Sequence, residues 1–81
     1  MVSSIERAVT RIRHELRERL LEESHDGVVD LLDGLEVIAE EVRGELGRDL
    51  RNECERWRLR FEMLAALQAF AEEMNLHGEA A

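Results

Sequence analysis

From Arg48 to Leu76 the chain runs without a proline or a glycine, and this stretch holds its single Trp, its single Cys and both of its Phe residues. Most residues there are good helix formers. At 100° per residue, Leu50, Cys54, Trp57, Phe61, Leu64 and Ala71 fall on one stripe, as a core-facing helix requires. From Leu59 onward a second stripe appears, made of Leu59, Met63, Ala66, Leu67, Phe70 and Met74. One stripe is enough for packing into a bundle. Two stripes call for a second partner.

Length sets how much that stretch can bury. The 81 residues make one domain, residues 1–81, and a chain of this size buries about 60–65% of its unfolded surface. A core that thin gains from self-association. No apolar run approaches the roughly 20 residues of a membrane span, and no secretory segment follows Met1, so a membrane is not expected as a partner. The lone Cys54 has no disulfide mate, which fits a reducing, cytoplasmic setting. The net charge of −8 argues against direct binding to nucleic acid, which needs a basic footprint. All eleven basic residues are Arg, which reads as a GC-rich coding sequence.

The remaining chain supplies two further helices. Ser3 and Glu6 form a capping box, and Ile5, Val9, Ile12, Leu16 and Leu20 hold one face of a helix expected over residues 4–23. Arg11–Glu15 and Glu15–Arg19 are favourable i,i+4 pairs on its polar side. Ser24-His25-Asp26-Gly27 is a turn by composition, with Asp26 the expected cap of the next helix. Val28, Leu31, Leu35, Ile38, Val42 and Leu46 then share a face, and the second helix is expected over residues 26–43. Gly34, on the flank of that helix, costs up to about 1 kcal/mol relative to Ala; a close helix crossing would explain it, and so would drift. Gly44 and Gly47 mark the second break through a positive-φ cap, so the third helix is expected over residues 48–76, with residues 77–81 a frayed tail. The expected fold is all-α, a three-helix up-down-up bundle. A long two-helix hairpin within an oligomer is the alternative, if residues 44–47 continue the helix.

Catalytic motifs are absent, and no enzyme activity or cofactor is expected. Ser24-His25-Asp26 holds three triad residue types, but adjacency is not triad geometry, and a capping turn explains it. Glu22-x-x-His25 has the spacing of di-iron bundle ligands, and His14 and Glu18 share a face. Both pairs read more simply as solvated side chains, so no metal is assigned. Cys54 reads as a buried thiol, because its stripe points inward and no His stands by it to act as base. Arg51, Arg56, Arg58 and Arg60 surround Trp57, yet Asp49, Glu53, Glu55 and Glu62 interleave, with Arg58–Glu62 and Arg51–Glu55 as ordinary helical pairs.

Charge is distributed unevenly. Residues 26–47 carry seven acids and one Arg, residues 48–62 five Arg and four acids, and residues 63–81 three acids and no Arg. Asp26, Asp30, Asp33, Glu36, Glu40 and Glu41 form an acidic face on the second helix, suited to a basic surface on another protein. Leu59, Met63, Leu67, Phe70 and Met74 are the expected self-association face, since Met-rich apolar surfaces adapt to partners. The sequence thus points to a non-enzymatic, acidic helical interaction module that binds and regulates or inhibits another protein, as a homodimer. A DNA-mimicking or phage anti-defence inhibitor using residues 26–45 is the first alternative. A metal-binding helical oligomer is the second.

Overall fold

The structure, a computed structural model, describes the backbone of residues 3–80 and the side chains of residues 3–75. It is all-helical in that range: α1 spans Ser4–Leu21, α2 Val28–Glu41 and α3 Glu45–Ala80. The three pack up-down-up. At 1.5 Å per residue α3 is about 54 Å long and α1 about 27 Å, so α3 sets the 59 Å long dimension of the molecule.

Each boundary has a local cause. Ser3 caps α1, its Oγ accepting from the Glu6 backbone N–H at 3.1 Å. At the far end Glu23 takes a left-handed φ of 56°. The Ser24 N–H donates to the Arg19 carbonyl at 2.9 Å and the Glu23 N–H to the Leu20 carbonyl at 3.2 Å. That pair of bonds is a Schellman motif. It ends α1 two residues earlier than the apolar pattern alone implies.

The expected cap at Asp26 is not observed. Gly27, with φ 69°, is the N-cap of α2 and offers no side-chain bond. The chain must pass through a positive φ to reverse direction, and glycine does so at least cost. Ser24 still serves the turn, its Oγ accepting from the Asp26 N–H at 3.2 Å. Arg19 Nε braces it by donating to the Asp26 carbonyl at 3.0 Å.

The second break lies at residues 42–44 and rules out a continuous helix through 44–47. Val42 is extended with φ −88° and ψ 95°, and Gly44 turns the chain at φ 89°. Gly47 is needed for a different reason from the positive-φ cap expected of it. A Cβ there would stand 1.8 Å from the Val42 carbonyl oxygen and 2.8 Å from that of Ala39, so α3 begins pressed against the end of α2. Because α3 starts at Glu45, Leu46 leaves the α2 stripe and is 56% exposed. At its other end α3 continues past residue 76 to Ala80.

The core is one cluster of Val9, Leu16, Val28, Leu32, Leu35, Ala39, Leu50, Cys54, Trp57 and Phe61, with Ile12, Leu20, Leu31, Ile38 and Leu64 packed at its edge. On α2 the buried ridge is Val28, Leu32, Leu35 and Ala39, rotated from the expected stripe so that Leu31 and Ile38 are only half-buried. That helix packs against both α1 and α3. Gly34 sits where α1 crosses, with room for a Cβ at 3.5 Å from Ile12 Cδ1. That is ordinary contact with the tip of one side chain, so the α1–α2 crossing does not demand glycine.

Ala71, expected on the core stripe, is exposed. The α1–α2 turn ends below it. The last tether is Gln68, whose Nε2 donates to the Glu23 carbonyl while its Oε1 accepts from His25 Nε2, each at 2.8 Å.

Candidate interaction surfaces

Three surfaces remain once the core is assembled. The outer side of α2 carries Asp30, Asp33, Glu40 and Glu41, all exposed, with Asp26 in the turn before it. Among the described residues none of these five carboxylates has a cation within ion-pair distance. Glu36 is the exception to the expected row. It turns onto α3, where Arg58 Nη2 donates to its Oε2 at 2.9 Å. Arg58 also holds Glu55 at 3.1 Å, and these contacts replace the expected pair with Glu62. Val29 and Val37 stand among the acids, 70% and 56% exposed. Beside them a groove of about 340 Å³ opens between α2 and α3, with Val28, Leu32 and Phe61 along it and Asp33, Arg58 and Glu62 among its polar residues.

The second surface lies between α1 and α3, and sequence reasoning missed it. Arg13 grips Glu53 with two bonds, Nε to Oε2 at 2.7 Å and Nη2 to Oε1 at 2.6 Å. Trp57 Nε1 adds a third at 3.2 Å. These hydrogen bonds, Arg13's foremost, hold the Glu53 carboxyl below the usual carboxylate range against the opposing effect of burial, and the charge of Arg56 lowers it further. The Arg60 guanidinium lies 4.8 Å over the Trp57 ring, a cation–π contact. With Arg17 and Arg56 these residues line a cleft of about 220 Å³. Arg13 and Glu53 neutralise each other, so three Arg remain in a molecule of net charge −8. Counting charge along one helix could not reveal this, because Arg13 and Arg17 come from 40 residues upstream. The i,i+4 spacing of Arg17 with Arg13, on the side of α1 opposite Glu15, is the available signal.

The third surface is the far side of α3. Leu59, Met63, Leu67, Phe70 and Met74 are 56%, 64%, 63%, 62% and 57% exposed. On a helix these five fall roughly 140° from the centre of the buried stripe. They are brought together as one face, and no described part of the chain covers it.

The chemistry-bearing residues take structural positions. Glu22 is the C-cap of α1, and the left-handed Glu23 follows it, so Glu22 and His25 do not share a helical face as the di-iron spacing would need. His25 instead packs edge-on against Phe61, ring centroids 6.0 Å apart, with its Nε2 on Gln68. That arrangement also separates it from Ser24 and Asp26 as a triad. His14 and Glu18 do share a face, 3.8 Å apart on the surface of α1. Among the described residues no three His, Cys, Asp or Glu side chains gather closely enough to hold a metal ion. Cys54 is buried, its Sγ 3.6 Å from the Leu32 carbonyl. Burial foremost, and then the charge of Glu36, push its thiol pKa up, away from a reactive thiolate. Among the described residues no helix is long and apolar enough to cross a membrane.

No protein-family model matches this chain, nor does any curated protein or solved structure.

Proposed function

We propose that this chain is a non-enzymatic helical interaction module, acting as a homodimer, that binds a protein with a basic surface and regulates or inhibits it. The observation that carries the reading is the set of five carboxylates on and before α2 left without a cation. No cation of the described residues neutralises this face, so its charge stays open to a basic partner. Like charges held together on one face attract a basic partner over a distance set by screening, roughly 8–10 Å at physiological salt. They raise the encounter rate and fix orientation more than they add affinity. Val29, Val37 and the adjoining α2–α3 groove supply apolar area that such a partner can bury. An Arg or Lys side chain suits this combination well, since its stem is apolar and its head is charged.

The test begins with capture of the partner from the source cells, followed by binding measurements on the purified pair. Asp30→Lys with Asp33→Lys should abolish binding while leaving the helical circular dichroism unchanged. The association rate of the wild-type chain should fall about tenfold or more between low and physiological salt. Unchanged binding by the double variant would reject the acidic face as the recognition surface.

A further inference from the structure

We infer that the cleft between α1 and α3 binds a phosphate group through Arg17, Arg56 and Arg60. No residue of α2 lines this cleft, so the inference stands whether or not the acidic face binds a protein.

Convergence is the first observation. Other arginines also lack a carboxylate within ion-pair distance among the described residues, Arg7, Arg48 and Arg51 among them. What sets Arg17, Arg56 and Arg60 apart is that all three line one cleft of about 220 Å³. α1 and α3 run in the same direction, and Arg13 reaches Glu53 across them. Arg17, one turn beyond Arg13, therefore stands level with Trp57, one turn beyond Glu53. Arg56 and Arg60, four apart, are neighbours on α3. Two helices thus bring three positive charges to one opening, in a chain of net charge −8.

The second observation is that the acid within the cleft is already occupied. Glu53 is the one acid among its described lining residues. Its carboxylate accepts two bonds from Arg13 and one from Trp57 Nε1. Arg13 offsets its charge, and the other three guanidinium groups repel one another until an anion enters.

The third observation is order. The Arg60 guanidinium lies over the Trp57 ring, and that ring is fixed in the core. Arg13 is pinned by its two bonds to Glu53. Side chains already held in place lose less freedom on binding.

The chemistry selects the ligand. A guanidinium fork matches phosphate geometry, and a phosphate monoester offers three acceptor oxygens to forks arriving from two helices. A carboxylate has only two, which one fork fills, as Arg13 fills those of Glu53. Because Arg60 covers Trp57, the ring presents no free face there for a nucleobase to stack on. Free phosphate and a phosphorylated molecule share this chemistry.

Inorganic phosphate and O-phosphoserine are titrated into the full chain, with chloride holding the ionic strength constant. Arginine side-chain resonances and Trp57 emission should change saturably, with half-saturation on the order of 1–10 mM for so exposed a site. Arg17→Gln should weaken binding roughly three- to tenfold, and Arg17→Lys less, because it keeps the charge and loses the fork. Arg56→Gln gives the same reading should the Arg17 variant unfold. Arg48→Gln, outside the cleft, should bind as the wild type does. Tighter binding of inorganic phosphate would identify the free ion, and tighter binding of O-phosphoserine a phosphorylated molecule. A response that does not saturate, or acetate bound as tightly as phosphate, would overturn the site. So would equal losses in Arg48→Gln and Arg17→Gln, which would mean that net charge alone is sensed.

Discussion

The two halves of α3 carry similar apolar residues at similar spacings, and they meet opposite fates. From Leu50 to Phe61 the stripe is sealed, with Leu50, Cys54, Trp57 and Phe61 at 6% exposure or less. From Met63 to Met74 the outer stripe stands in solvent. Helical phase separates them first: the outer stripe lies on the side of α3 turned away from α1 and α2, so Leu59 is 56% exposed although it stands beside them. The lengths of α1 and α2, which end at the turn where His25 and Glu23 reach Gln68, add a second limit, seen at Ala71, which is on the core stripe and still exposed. A helix face is core only where a neighbour stands opposite it. The outer stripe has none among the described residues, and its apolar area stays unburied.

The largest effect that sharpens this comparison is a pair of truncations. Trp57→Ala should cost about 3–5 kcal/mol, a large share of the stability of a small domain. Phe70→Ala, measured at low protein concentration, should cost less than about 0.5 kcal/mol, as for an exposed position. Chemical denaturation of the two variants checks both. Equal losses would mean that the outer stripe belongs to the protomer core.

A smaller contrast separates the two glycines with close neighbours. Gly47→Ala forces Cβ into the Val42 carbonyl and should destabilise by about 1–3 kcal/mol as the α2–α3 junction shifts. Gly34→Ala meets Ile12 at ordinary contact distance and should be neutral or stabilising by up to about 1 kcal/mol. Thermal melts of the two would rank them. A reversal would place the tight approach at the α1–α2 crossing instead of the α2–α3 junction.

The smallest effect tests the pin between α1 and α3. Glu53 has a folded pKa below its unfolded one, so its contribution is present above the unfolded carboxyl value. It fades as pH falls through the folded value. The Arg13 side chain is 45% exposed, so solvent screening limits the loss in Glu53→Gln to about 1 kcal/mol at neutral pH. The wild-type and variant stabilities should converge in acid. A gap that stays constant down to pH 2 would assign the effect to packing of Trp57 and not to charge.

The sequence by itself determined the all-α class, the role of Trp57 as a core residue and the two places where the chain can turn. Those features follow from local properties: a 3.6-residue apolar period, Ser3 at a cap, and glycines where φ turns positive at Gly27 and Gly44. It also isolated the acidic residues of α2 and the second stripe on α3 as sets. Only the tertiary structure decided that Glu36 leaves the acidic row for Arg58, that Gly47 is required by a carbonyl of another helix, and that Glu22 and His25 part company at the α1 C-cap. The tertiary structure alone assembled Arg17, Arg56 and Arg60 around the Arg13–Glu53–Trp57 contact. These outcomes depend on which side chains from distant parts of the chain come within a few ångströms of one another. A periodicity records the face on which a residue lies. What stands opposite that face, and how far it reaches, is settled by packing.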